Sequence, residues 1–141
     1  MKKVFESIKE SKEEVLKYIE ENFPAKLRDF VKAYADAVLF EEFEWKDLAG
    51  VRQLKWEGEW TNAEELSEQA QLIGEYNEFS PDTVAEVINI FGRDARYKLA
   101  REYSPVIYVK PKKMWDATGV AATKADEVYV QPNGEVRLWW D

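Results

Sequence analysis

Neither cysteine nor histidine occurs among the 141 residues of this chain. Without cysteine there is no disulfide, no thiolate nucleophile and no zinc site built on thiolates. The missing histidine removes the side chain whose ordinary pKa lies nearest neutrality, which is also the commonest general base. Any catalysis would therefore rest on carboxylates, Lys, Tyr, Ser, Thr or a hard cation such as magnesium. No apolar run approaches the length of a membrane span, and the opening MKKVFESIKES has a basic pair with no apolar stretch behind it. These features predict a cytoplasmic protein without membrane contact.

What is present describes an ordinary globule: 45% hydrophobic and 34% charged residues, enough for a real core in one domain spanning 1–141. The net charge of −8 hides a partition. Residues 1–40 carry 8 basic and 8 acidic groups, residues 41–86 carry 3 and 13, residues 87–113 carry 7 and 2, and residues 114–141 carry 2 and 5. A strongly acidic middle is followed at once by a basic stretch. The overall acidity makes a nucleic-acid partner unfavourable, since phosphate contacts need a positive face.

Periodicity places the elements. Val4, Phe5, Ile8, Val15, Leu16, Ile19 and Phe23 recur at helical spacing, and Pro24 can open a second helix whose stripe is Leu27, Phe30, Val31, Tyr34, Ala35 and Val38. From Val51 the period becomes two, with Leu54, Trp56 and Trp60 on one side of a strand. Thr61 and Glu64 then stand in the T-x-x-E relation of a capping box, which predicts Thr61 as the N-cap of a third helix. Ser80 with Pro81 behind it signals another start, and Val84, Val87, Ile88, Phe91, Ala95, Leu99 and Tyr103 predict a helix running towards Pro105, with Gly92 as its weak point. PVIYVKP suits a strand buried on both faces. Residues 111–125 read as a long loop, and DEVYVQPNGEVRLWWD as a closing hairpin about a Pro-Asn-Gly turn. The expected fold is α+β, with about four helices on a small mixed or antiparallel sheet whose strands come from 51–60, 106–110, 127–131 and 135–140.

Several groups of side chains can be weighed as sites. Glu57 and Glu59 on the strand and Glu64, Glu65 and Glu68 on the helix could gather around magnesium or face a basic partner. Each also has a local reason to be there, on a solvated strand face or at the positive end of a helix dipole. Glu44 and Lys46 have the E-x-K spacing that resembles part of the magnesium-dependent nuclease motif of the restriction-endonuclease-like fold. The acid such a motif wants on a preceding strand is missing, because Asp36 falls in a predicted helix. On a helical wheel Arg93, Arg96, Tyr97 and Arg101 lie opposite the apolar stripe, forming a basic face for phosphates or an acidic partner. Trp139 and Trp140 are adjacent, so on a strand they point to opposite faces, and either both faces are covered or one indole is a contact surface.

The function expected from these features is a non-enzymatic module whose acidic surface binds a basic protein partner, as an inhibitor, an antitoxin-like factor or a nucleic-acid mimic would. Neither a catalytic residue, a metal ligand nor a cofactor is assigned. One alternative is a self-assembling accessory protein, a homo-oligomer whose acidic face meets the basic face of the next subunit. The other is a magnesium-dependent carboxylate hydrolase or nuclease.

Overall fold

The computed structural model describes residues 12–34, 55–102 and 104–141. In chain order these form α1 (Lys12–Asn22), α2 (Ala25–Tyr34), β1 (Lys55–Thr61), α3 (Ala63–Ile73), α4 (Pro81–Phe91), β2 (Arg96–Glu102), β3 (Ser104–Lys110), a 3-10 helix (Ala117–Thr123), β4 (Glu127–Val130) and β5 (Val136–Trp139). The fold is α+β, and the sheet is antiparallel throughout, in the order β1-β2-β3-β5-β4. The expected strand segment 51–54, Glu44, Lys46 and the ends of the first two predicted helices lie outside the described residues.

β3 occupies the centre of the sheet, and its unbroken apolar run matches that place: Val106, Ile107 and Val109 are all fully buried. Pairing sorts the side chains into two faces. Tyr97, Leu99 and Arg101 of β2 stand beside Val109, Ile107 and Pro105 of β3, and Ile107 and Val109 stand beside Leu138 and Val136 of β5. This face joins Leu66, Ala70, Val84, Val87 and Phe91 of α3 and α4 in one apolar core, to which Ile19, Val31 and Tyr34 of the first two helices contribute. The helices thus cover one side of the sheet, with α3 against α4 and β2, and α4 against the 3-10 helix.

The α4 start follows its sequence signal. Ser80 accepts from Thr83 N–H at 3.3 Å, its own N–H donates to the Thr83 hydroxyl at 2.8 Å, and Pro81 takes the first turn, where no amide partner is needed. The α3 start is shifted by one residue. Asn62, not Thr61, is the N-cap, its side chain accepting from Glu65 N–H at 2.8 Å. Thr61 instead closes β1, buried, with its hydroxyl donating to the Tyr97 carbonyl at 3.1 Å. Strand pairing claims the threonine, and the next polar residue caps.

The largest departure from the sequence expectation lies after Phe91. The predicted helix stops at Gly92, which has φ +91° and donates its N–H to the Ile88 carbonyl at 2.7 Å, and residues 96–102 form β2. Ala95, Leu99 and Tyr103 are spaced by four, a step that fits both a helix and every second turn of a strand. The intervening residues decide it: Tyr97, Leu99 and Arg101 go inward, while Arg96 and Lys98 go outward. The predicted loop 111–125 also contains the 3-10 helix, which Asp116 caps by accepting from Thr118 N–H at 2.9 Å.

These caps carry a prediction. Asn62→Ala and Ser80→Ala should each destabilise the fold by about 1 kcal/mol in chemical denaturation, and Asn62→Asp should recover most of the loss. A silent Asn62→Ala beside a rescued Thr61→Ser would return the capping role to Thr61.

Candidate functional site

From Trp56 to Gly92 the chain has no Lys or Arg, and its α3–turn–α4 part carries seven carboxylates: Glu64, Glu65, Glu68, Glu75, Glu78, Asp82 and Glu86. Folding places them on the outer surface of the helical layer, with Glu65 and Glu68 half-buried and the other five exposed. The connection that presents Glu75 and Glu78 is held firmly. Tyr76 and Phe79 exchange backbone hydrogen bonds at 2.9 and 2.8 Å, with Asn77 at φ 49° between them. Phe79 plugs the core, edge-on to Trp140 at 5.3 Å, and the Asn77 side-chain amide donates to the Asp141 carbonyl at 3.0 Å. Beside this turn lies an open groove of about 380 Å³, walled by Glu75, Glu78, Asp82 and Glu86, with Lys124 at its rim, 3.6 Å from Glu78. Negative charge is therefore presented on a rigid frame.

The uncovered face of the sheet is built differently. Lys98 Nζ lies 4.9 Å from the ring centres of both Trp60 and Tyr108, and Lys110 Nζ lies 4.0 Å from Trp60. Lys98 also pairs with Glu57, and Arg137 with Glu102 at 3.3 Å. Tyr108 donates to the same Glu102 carboxylate at 2.5 Å, while Trp139 Nε1–H donates to the Glu102 carbonyl at 2.9 Å. Cations here already face rings or carboxylates of their own chain.

The structure keeps Glu64, Glu65 and Glu68 together on one helix and places the other suggested residues on different elements. Glu57 and Glu59 lie on β1, where a register irregularity between Glu57 and Trp60 interrupts the simple alternation, and Glu64, Glu65 and Glu68 lie on α3. Among the described residues no three carboxylates approach closely enough to hold a metal ion. The basic helical face does not exist, because its residues fall on a connection and a strand. Arg93 is exposed beside Glu64 at 3.7 Å, and Arg96 is exposed with its guanidinium 3.5 Å from the Trp60 carbonyl. Tyr97 is fully buried and donates to the Gly92 carbonyl at 2.6 Å. Arg101 is buried on the same face, 5.1 Å from the Tyr76 ring centre and 3.2 Å from the Tyr34 hydroxyl. Trp140 is buried with Nε1–H on the Thr123 carbonyl at 2.8 Å, and Trp139 is half-buried on the opposite face. Glu75, Glu78, Asp82 and Glu86, the acids that converge on the groove, were not singled out by motif reasoning. Their signal is the unbroken absence of basic residues around them.

Two phenols make the fold sensitive to alkali. Burial, reinforced by the Glu102 carboxylate, pushes the Tyr108 phenol up to about 12, and burial raises Tyr97 as well. An unfolded tyrosine ionises near about 10. The fold holds these groups neutral, so their contribution is intact below that value and is lost as pH rises towards about 12. Urea unfolding between these limits should show falling stability, and a shallower fall in Tyr108→Phe; an unchanged slope would contradict the assignment. Comparison with protein-family models, curated proteins and solved structures finds no match for this chain.

Proposed function

We propose that the chain is a non-enzymatic interaction protein that binds a basic protein partner through the acidic surface of α3, the Tyr76–Phe79 turn and α4. The reading rests on one observation: seven carboxylates on two capped helices and the turn between them, with no basic residue in the same segment. Such a surface raises the encounter rate with a cationic partner and disfavours anionic ones. Its fixed turn limits the ordering cost of binding. An inhibitor, an antitoxin-like factor or a nucleic-acid mimic would each use this design. The assembly alternative draws less support, because Arg93 and Lys98 of the basic segment already pair with Glu64 and Glu57 within the chain.

The test is retention of partners from a lysate of the native host on immobilised protein. The wild type should retain basic proteins that elute as salt rises past about 0.15 M, where the Debye length is about 8 Å. Reversing Glu64, Glu75 and Glu86 to Lys should abolish retention without altering the circular dichroism spectrum, since all three side chains are exposed. Retention indifferent to both salt and reversal would overturn the reading.

A further inference from the structure

The two edges of the sheet are finished in contrasting ways. β1, at one edge, carries charge at Glu57 and Glu59 and a register irregularity between Glu57 and Trp60. Both features discourage another strand from adding there. β4, at the other edge, carries one charged residue, Glu127 at its start, and no register irregularity. Its register with β5 is regular from Glu127 to Val130, and Val128, Tyr129 and Val130 are 42%, 56% and 51% exposed. Three successive large apolar side chains in solvent on an open edge form a template for strand pairing.

The turn that follows sets which backbone groups point outward. Gln131 N–H donates to the Glu135 carbonyl at 2.8 Å, which makes 131 and 135 a hydrogen-bonded pair. By antiparallel alternation Tyr129 then directs its N–H and C=O towards Arg137 of β5, while Val128 and Val130 direct theirs to the open side. At one end of the strand the Asp126 N–H is already engaged by the Trp139 carbonyl at 2.8 Å, and at the other Pro132 has no N–H. Among the described residues, the edge therefore offers two complete donor–acceptor pairs, at Val128 and Val130.

We propose that this edge pairs with the same edge of a second copy of the chain, antiparallel about a twofold axis at Tyr129. In that register Val128 meets the partner's Val130, and Val130 meets the partner's Val128, so all four outward backbone groups on each chain are satisfied. On one face the two valine pairs form a single apolar cluster beside Leu138 and Val136, the cross-strand neighbours of Val128 and Val130. On the other face the two Tyr129 rings meet across the axis. Glu127 falls opposite the partner's Gln131 and Asp126 opposite the partner's Pro132, so no like charges oppose one another. Moving the axis to Val128 would instead set Asp126 against the partner's Val130 and require an amide already in use. Moving it to Val130 would set Val128 against proline. The strand has only four residues, so the contact is smaller than the roughly 1,200 Å² of a stable interface and the association is reversible. Each chain carries −8, so salt should strengthen pairing, opposite to its effect on a basic partner.

The absence of cysteine gives a direct test, since a single introduced thiol can pair only with its counterpart on another copy. At the axis Tyr129→Cys would bring two Cα atoms to about 4.5 Å, the spacing of a non-hydrogen-bonded pair and within disulfide reach. Glu127→Cys would lie four residues out of register with its counterpart, about 13 Å along the strand. Met114→Cys, at a residue 96% exposed and outside the strand, reports random collision. Under mild oxidation the 129 variant should form covalent dimer on the order of tenfold faster than either control, because pairing raises the local thiol concentration. In sedimentation equilibrium the wild-type mass should climb above 16.5 kDa with concentration, and more steeply in high salt, whereas Tyr129→Lys should stay at 16.5 kDa. Circular dichroism of each variant confirms that the fold is retained. Equal cross-linking at 129 and 114, faster cross-linking at 127 than at 129, or a wild-type mass fixed at 16.5 kDa up to millimolar protein overturns the proposal and leaves the edge to a strand of another protein or to solvent.

Discussion

The reversal at Gly92 is the constraint on which the rest of the structure depends. α4 is an apolar helix whose residues Val84, Val87 and Phe91 are buried, and the chain must leave its last turn and enter the sheet directly beneath it. Gly92 supplies the positive φ that ends the helix, and Tyr97, five residues later, reaches back from β2 to donate its hydroxyl to the Gly92 carbonyl at 2.6 Å. One hydrogen bond thereby ties the end of the helix to the strand it feeds. A buried phenol without that partner would carry an unmet polar group of about 1–3 kcal/mol, so Tyr97 and the glycine turn stabilise each other. β2 in turn bridges β1 and β3, and without it the edge strand carrying Trp60 has nothing to pair with among the described residues.

Much of this was legible in residue patterns, and the failures have physical causes. Ser80 and Pro81 announced α4 because a cap needs only local chemistry, and the apolar run of β3 announced a buried central strand because Val106 on one face is as fully buried as Ile107 and Val109 on the other. β2 was hidden because spacing by four satisfies two periods at once. The intervening residues break the tie, but one of these is Arg101, and a buried arginine is the last residue a polarity pattern assigns to a core. Thr61 and Asn62 are both competent caps, and the choice between them is made by the Tyr97 carbonyl, 36 residues away in sequence. For the candidate surface, composition located the acidic block, but not which acids share a wall. That depends on the Tyr76–Phe79 turn, whose anchor at Trp140 is equally non-local.

Charge is distributed by layer. α3, α4 and the turn between them bear seven carboxylates and no Lys or Arg of their own, whereas the uncovered sheet face alternates cations, rings and carboxylates that satisfy one another. The distinction matters for what each can do. A partly buried, well-matched network such as Glu102 with Tyr108 and Arg137 gains little from meeting a further charged partner, since its groups would have to exchange one good contact for another. The Arg93–Glu64 pair, with both side chains about three-quarters exposed, is worth little by itself and is easily given up to a partner. The local excess of carboxylates over cations on α3 and α4, rather than the net charge of the whole chain, sets the acidic surface apart.

The adjacent tryptophans show how one sheet serves both arrangements. Alternation sends Trp140 into the helical core, where it closes on Phe79 and hydrogen-bonds the 3-10 helix through the Thr123 carbonyl, and sends Trp139 to the uncovered face, where it is fixed by the Glu102 carbonyl. With helices on only one side, the other side is shielded by its own long side chains: the stems of Lys98 and Arg137 lie over the sheet with their charges at the surface, leaving Lys98 16% and Arg137 20% exposed. The helical cover of the other face stops short of β4: Val128 and Val130 share the face of fully buried Leu138 and Val136 yet remain exposed. Among the described strands the exposed apolar side chains are those of β4, Val128, Tyr129 and Val130, on an open edge, so this is where a further strand gains most by adding.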